Sequence, residues 1–398
     1  MNSKLIENKV AVQDAALKAW IDAGMRGSLQ IITGLGKSKI SLDAVKLFPK
    51  KAKIVFLAEQ TDRELELRNE QKKWGVEDYD IEFACYQTAY KWKDREFDFV
   101  IADEAVDSFT PSYSKFYFNN KIKNLMCLFA YLDKHLVVGE ENGKEITKEY
   151  LCNKIAPVCF TYGMEQGQAE QTARALDIYV IKHRLDGVNK TIEAGNKEKK
   201  WMQTEQQAYD YADSQFQKVW ATKKKWDDLM VLKASGRRAN LLYSLPSKVA
   251  SVKKLLSRID SKVIIFANSL PTLELITPNV ISSHKSDSEN KEIRTAFDNG
   301  DINVIASFKK LQQGANLTDL DNVILMSYYS KQKIAIQRTG RLRQNGEVGQ
   351  IFIFVTQNTQ EEKWYKSMFE GMEQLNFIPC ESVEDCINKL NSNSIINS

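Results

Sequence analysis

The run Thr33-Gly34-Leu35-Gly36-Lys37-Ser38 closes the apolar segment LQIIT and opens a segment of helical spacing. Glycines at such a junction let the backbone curl, so that its N–H groups and the next helix N-terminus face a polyphosphate. Lys37 then reaches the β and γ phosphates, and the Ser38 hydroxyl ligates Mg²⁺. A second constellation, Asp103-Glu104, ends the apolar segment FDFVIAD, 66 residues after Lys37. Carboxylates at the C-terminal end of a buried parallel strand lie where open α/β sheets bind ligands. Asp103 there holds Mg²⁺ through water, and Glu104 orients and deprotonates an attacking water. Each feature has an ordinary alternative, a chance Gly-Lys-Ser string or a surface turn with two acids. Both at strand ends, they predict one nucleoside triphosphate site.

The elements that must hold these residues follow one rhythm: a short apolar β-rich run, a turn, then a segment of helical period. In the first region LQIIT (29–33), KIVFLAE (53–59), IEFAC (81–85), FDFVIAD (97–103) and NLMCLFA (124–130) are expected strands. In the second they are KVIIFA (262–267), NVISSH (279–284), INVIAS (302–307), NVILMSY (322–328) and QIFIFV (350–355). Near-continuous apolar runs mark parallel strands covered by helices on both faces. The class is therefore α/β, with two parallel-sheet domains in tandem at residues 1–135 and 246–376. Residues 136–245 are charged and contain the long helical stretch TEQQAYDYADSQFQKVWATKKKWDDLM. They are expected to form a helical connecting or inserted element, with a strand pair around ALDIYVIKHRL. The segment 377–398 is expected to be a partly disordered tail.

Composition sets the outer limits. The 398 residues are 43% hydrophobic, enough to fill sizeable cores. The 56 basic and 52 acidic residues leave only a mild positive balance. What matters is clustering: Lys199-Lys200, Lys223-Lys224-Lys225 and Arg237-Arg238 all fall in the middle third. Such runs read first as solvated helix faces, and second as a duplex contact. Trp201, Trp220 and Trp226, at helical spacing, read first as core and second as base-stacking groups. The six cysteines form no Cys-x-x-Cys pair, so no zinc site is expected, and they read as buried, reduced thiols of an intracellular protein. The first residues lack a signal-peptide core, and no run of eighteen apolar residues occurs. A cytoplasmic location follows as an expectation, and the compact size fits a phage or viral source acting in a host cell.

With these motifs in order, the chain resembles superfamily 2 helicases and translocases, the DEAD-like group of restriction-enzyme motors, phage helicases and Swi/Snf-type remodelling ATPases. Gln13, in VQDAALKAW, resembles the adenine-reading glutamine upstream of the phosphate loop. Gly34 to Ser38 resemble motif I, FLAEQTDRELELRNEQKKWG motif Ia with its helix, and Asp103-Glu104-Ala105-Val106 motif II. CYQTAYK is similar to the next strand-end segment. KVIIFANS resembles motif IV, SFKKLQQGANL motif V with Gly314 and Asn316, and IQRTGRLR motif VI with Gln337, Gly340 and Arg341.

The resemblance implies RecA-like domains, ATP and Mg²⁺ as cofactors, and nucleic acid as partner. It places Gln13, Thr33 to Ser38, Gly314 and Asn316 around ATP, with Ser38 and Asp103 on the metal. It makes Lys37, Asp103, Glu104, Gln337, Arg341 and Arg343 the catalytic set. Gln60, Arg63, Gln87, Ser269, Ser307 and Lys309 become the nucleic-acid track. Arg341, from the second domain, would close over the γ-phosphate at an interdomain cleft.

Four positions depart from the pattern. Ile31 stands where a small residue is usual, and Val106 where many relatives carry His. Phe129-Ala130-Tyr131 replaces a Ser/Thr-Ala-Thr triplet, and the second motif VI arginine falls on Gln344, with Arg343 one place early. The expected function is an ATP-dependent DNA helicase or duplex translocase, with a protein partner for targeting. The alternatives are a slowly hydrolysing, nucleotide-gated clamp or assembly factor on nucleic acid, and an RNA helicase.

Overall fold

The computed structural model describes residues 3–32, 34–59, 61, 63–163, 166–167, 170, 176–196, 198–222, 228–308, 320–328, 348–369 and 375–396. The chain divides into two compact units, one reaching residue 174 and the other built mainly from residues 175–398. Each is a parallel sheet with helices.

The first unit opens with helix α1 (Ser3–Asp22), followed by β1 (Arg26–Ile31), α2 (Lys37–Val45), β2 (Ile54–Ala58) and α3 (Arg63–Lys73). Then come β3 (Ile81–Cys85), α4 (Tyr86–Ala89), β4 (Glu96–Asp103), α5 (Lys115–Asn119) and β5 (Lys121–Phe129). The strands β6 (Val137–Glu141) and β7 (Lys144–Thr147), helix α6 (Lys148–Ile155) and β8 (Val158–Tyr162) complete it. Six strands lie in the order β3-β2-β4-β5-β1-β8, all pairs parallel. The continuous apolar runs have a direct explanation. Ile54 and Phe56 face one core with Trp20 and Phe99, while Val55 and Leu57 face the other with Val100 and Cys127. Successive side chains point to opposite faces, and here both faces are buried.

The second unit holds seven parallel strands in the order β13-β14-β12-β15-β16-β9-β17. These are β9 (Leu176–His183), β12 (Val263–Phe266), β13 (Val280–Ser282), β14 (Val304–Phe308), β15 (Asn322–Leu325), β16 (Gly349–Thr356) and β17 (Asn376–Cys380). The ten expected strands are present, five per unit, and two sheets of this kind are the tandem α/β architecture that was expected.

The segment 136–245 is shared between the two units. The stretch GEENGKE, expected as a loop, forms the β6–β7 hairpin, with Asn142 and Gly143 both at positive φ as a two-residue turn requires. Strand β8 extends the first sheet beside β1. Strand β9, expected in a local pair, runs between β16 and β17 in the second sheet. Beyond it lie the hairpin β10 (Lys190–Gly195) and β11 (Lys200–Thr204), then helices Glu205–Ala221 and Asp228–Tyr243.

Residues expected as a partly disordered tail instead form β17 and a helix, Val383–Ile396. The reason is packing: Cys380, Val383 and Cys386 are buried against Tyr179 and Ile181 of β9. All six cysteines are free. Trp201 and Trp220, read first as core, are 52% and 55% exposed. Trp226 lies outside the described residues.

A buried polar network ties the helices to the second sheet. Glu205 accepts from Ser247 Oγ at 2.6 Å and from the Ser247 and Asp186 amides, while His183 Nε2 lies 2.9 Å from Ser247 Oγ. Beside it Lys248 and Glu361, both almost wholly buried, pair at 2.8 Å. Burial, reinforced by Lys248, pushes the His183 pKa down to about 3.

Candidate active site

Because the first sheet is parallel, the C-terminal ends of β1 to β4 share one edge, and Lys37, Ser38, Arg63, Asp103 and Glu104 meet there. Strand β5 separates β1 from β4. The phosphate loop and the carboxylates therefore start about 10 Å apart, two strand spacings. Long side chains bridge that gap.

The loop after β1 turns at Gly34 (φ 87°) and Gly36 (φ 80°), both left-handed. Gly36 caps α2, whose first residues are Lys37 and Ser38. A Cβ on Gly36 would come within 2.7 Å of Gln13 Nε2. The glycine thus supplies both the turn and the close approach that a phosphate cradle needs. Gln13, on α1 and buried, donates from Nε2 to the Leu35 carbonyl at 2.8 Å. Its Oε1 is buried without a hydrogen-bond partner among the described residues. An orphaned acceptor beside the loop suits an exocyclic amine donor, as adenine presents. Leu35 is fully buried and anchors the loop in the core. Ile31, the departure from the usual pattern, is also core; its carbonyl accepts from Lys37 Nζ at 3.3 Å.

On the other side, Lys37 Nζ lies 3.8 Å from Glu104 Oε1. Glu104 follows β4 in the left-handed region, φ 48° and ψ 47°. For a non-glycine residue this costs about 1–2 kcal/mol, and it turns the carboxylate toward the loop. The Asp103 carbonyl accepts from Tyr86 Oη at 2.8 Å, which braces β4 against α4. Tyr86 is fully buried, and its phenol is held well above its usual pKa mainly by that burial.

Arg63 is the unexpected member. Predicted on the nucleic-acid track, it lies between Ser38 and Asp103, 11% exposed. Its Nε donates to Asp103 Oδ2 at 2.9 Å and its Nη2 to Ser38 Oγ at 2.7 Å. Behind it, Glu66 accepts from Nη1 at 3.2 Å and Glu70 from Nη2 at 3.1 Å. Burial works against the charge, but Asp103, Glu70 and Glu66 outweigh it and raise the Arg63 pKa above its ordinary value. A guanidinium held between Ser38 and Asp103 shows that this donor set favours a cation, as a phosphate-bound metal ion requires.

Sequence reasoning missed three further contributors. Glu66 and Glu70 follow Arg63 at helical spacings of three and seven, a legible signal for one face of α3. Lys9 donates to the Gly34 carbonyl at 3.3 Å, and burial brings its pKa down to about 8. No motif pointed to it.

Of the remaining predicted residues, Gln87 is exposed on α4 after β3. Ser269 follows β12 and its Oγ accepts from Thr272 at 2.7 Å. Ser307 is buried in β14, 1% exposed, so its hydroxyl does not face solvent. Thr33, Gln60, Lys309, Gly314, Asn316, Gln337, Arg341 and Arg343 lie outside the described residues. Two of the departures from the pattern have structural counterparts. Phe129 is buried edge-on against Phe109 at 6.1 Å, and the Val106 carbonyl accepts from Lys148 Nζ at 2.6 Å.

Residues 247–346 match the family model described as the helicase conserved C-terminal domain. Among solved structures, the chain is similar to the ATP-dependent Type ISP restriction-modification enzyme LlaBIII bound to DNA. There the TM-score is 0.59 at 14% identity, covering 93% of this chain and 31% of that one. This chain therefore spans about a third of that enzyme's length. It is similar also to S. cerevisiae Dbp5 bound to RNA and ADP BeF3, with TM-score 0.58 and 12% identity over 98% of this chain and 97% of that one. The Pyrococcus furiosus Hef helicase domain matches with TM-score 0.50 and 12% identity over 89% and 97% of the two chains. No curated protein sequence matches. At these identities the likeness establishes the fold, tandem RecA-like domains. The family-model match is confined to residues 247–346, mostly within the second unit.

Proposed function

We propose that the chain is a nucleic-acid-dependent ATPase that uses hydrolysis to move on or unwind DNA. The observation that carries this reading is the grouping of Lys37, Ser38, Asp103 and Glu104 at one sheet edge, beside a loop that turns at Gly34 and Gly36 with positive φ. Phosphoryl transfer through a loose transition state asks a protein mainly for positioning and charge. Lys37 would leave Glu104 for the β and γ phosphates, and the freed Glu104 carboxylate would orient the attacking water and take its proton. Ser38 and, through water, Asp103 would hold Mg²⁺, which supplies charge neutralisation on the phosphate oxygens when bound. Gln13 Oε1 would accept from the adenine amine. Among the residues that resemble motif VI, Arg341 would supply the transition-state cation, and Gln337 and Arg343 complete the proposed catalytic set.

Nucleic acid as partner draws support from the second unit's surface. Trp201 and Trp220 are exposed, and Lys199, Lys200 and Arg237 are exposed on the same hairpin and helices. Exposed aromatics among cations are how sequence-tolerant nucleic-acid surfaces are built. Gln87 and Ser269, at strand ends, are the described candidates for tracking the strand. DNA is favoured over RNA by the Gly34-to-Ser38 and Asp-Glu-Ala-Val pairing, which resembles that of DNA motors.

A slowly hydrolysing clamp is the second reading. It is favoured by the Phe129–Phe109 contact, which puts aromatic packing where coupling hydroxyls are usual. Steady-state ATPase assays with duplex DNA, single-stranded DNA and RNA separate these readings. Turnover stimulated most by DNA is expected. Stimulation by RNA alone supports the RNA-helicase alternative, and no stimulation by any of them supports the clamp.

A further inference from the structure

Arg63 has no place in the chemistry above, yet it makes the shortest polar contacts of both proposed metal-holding side chains. We propose that Arg63 is the resident cation of the metal site: its guanidinium bridges Ser38 Oγ and Asp103 Oδ2, and a divalent ion must displace it to bind. The inference rests on the reading of Ser38 and Asp103 as the metal-holding pair.

Three features of the geometry carry it. First, the two contacts, 2.7 Å to Ser38 and 2.9 Å to Asp103, come from one edge of the planar guanidinium. Nε and Nη2 form a fork that spans two oxygens, as a point-charge ammonium does not. The oxygens engaged are those that an ion would need. Second, the Arg63 side chain is mostly buried and its guanidinium packs over the Phe56 ring at 5.6 Å from its centroid. A divalent ion cannot sit on the same two oxygens beside it, because like charges at contact distance repel strongly. Third, Arg63 has somewhere to go. Glu66 and Glu70, on its own helix, already accept from Nη1 and Nη2. Letting go of Ser38 and Asp103 leaves Arg63 paired, so displacement does not strand a buried charge.

The consequence is a site balanced in charge before nucleotide arrives, in which metal affinity is set by competition with an internal cation. When a binding-competent state is only partly populated, the apparent dissociation constant rises by the inverse of that fraction. If Arg63 holds the pair nine-tenths of the time, removing it tightens ion binding about tenfold. A purely structural ion pair between α3 and β4 predicts the reverse, since losing it would loosen Asp103 and weaken the site.

The test is Mn²⁺ binding to the nucleotide-free, full-length protein, followed by electron paramagnetic resonance of free Mn²⁺. Arg63→Gln is expected to bind Mn²⁺ about tenfold more tightly than the wild type. It is also expected to melt at a lower temperature without divalent ions and to gain more from Mg²⁺ than the wild type, whose weaker ion binding gives a smaller rise. Arg63→Lys, which keeps a buried cation but not the fork, should tighten binding by a smaller factor, and it carries the test if Arg63→Gln does not fold. Equal or weaker Mn²⁺ binding in the variants overturns the proposal. Asp103→Asn separates this failure from that of the underlying reading. If Asp103→Asn binds Mn²⁺ as the wild type does, the metal site lies elsewhere and both readings fall. If it abolishes binding while Arg63→Gln leaves the affinity unchanged, only the competition is wrong.

Discussion

Lys37 Nζ stands 3.8 Å from Glu104 Oε1, with the Ile31 carbonyl 3.3 Å away. The cation proposed to grip the phosphates and the carboxylate proposed as base are thus parked on each other. Nucleotide binding would part them, giving Lys37 a stronger anionic partner and freeing Glu104 for water. Both have a fixed origin: Lys37 begins a helix, and Glu104 sits in a strained left-handed turn after a buried strand.

Lys37→Ala is expected to weaken ATP binding by about 2–3 kcal/mol, roughly 30-fold to 150-fold, because hydrogen bonds from a charged group are lost. Titration with a fluorescent ATP analogue measures this. Unchanged affinity would remove Lys37 from the phosphate site.

Gly36→Ala tests the loop rather than the charge. The new Cβ meets Gln13 Nε2 at 2.7 Å in a backbone with φ 80°. The left-handed conformation alone costs about 1–2 kcal/mol for a residue with a side chain. Denaturant melts should show that loss, together with weaker nucleotide binding. A variant as stable as the wild type would mean that the loop relaxes freely.

How far was this site legible in the sequence? Gly34 to Ser38 and Asp103-Glu104 were, because strand ends in a parallel sheet converge and the apolar runs LQIIT and FDFVIAD mark the strands. Arg63 stands between Ser38 and Asp103, which its motif did not announce, although the spacing to Glu66 and Glu70 already marked a charged helix face. In the fold, the two sheets were legible, but the insertion of β9 between β16 and β17 was not. Local apolar pattern identifies a strand without naming its neighbours, and β9 pairs with partners over 160 residues away. The supposed tail was read from its polar ending, whereas Cys380, Val383 and Cys386 bury the face that orders it.

Acid should destabilise the second unit through His183. Its pKa is pushed down to about 3 in the fold, by burial and then by Lys248, against an ordinary 6.5. Between those values the unfolded chain binds a proton that the native chain does not, so stability rises with pH across that window. Acidification from pH 6.5 toward 3 therefore removes stability, by up to a few kcal/mol at about 1.4 kcal/mol per pH unit. Urea melts at pH 7, 5.5 and 4.5 should show a shallower loss for His183→Asn than for the wild type. Equal slopes would contradict the assignment.

The buried pair Lys248–Glu361 offers a stability test away from the chemistry. Lys248 Nζ also donates to the Leu242 and Met326 carbonyls, and Glu361 accepts from the Thr356 amide. Lys248→Met strands Glu361 and should cost about 3–5 kcal/mol. Combining it with Glu361→Leu should recover part of that loss in equilibrium unfolding. A single variant within about 1 kcal/mol of the wild type would show that the pair is not needed.

The central claim is that Glu104 activates water for ATP hydrolysis on this sheet edge, and Glu104→Gln tests it most directly. Nucleotide affinity and nucleic-acid-stimulated ATPase turnover would be measured in the same preparation. The account predicts near wild-type ATP affinity with turnover lost, since the amide keeps the shape but accepts no proton. Normal turnover in Glu104→Gln would contradict it.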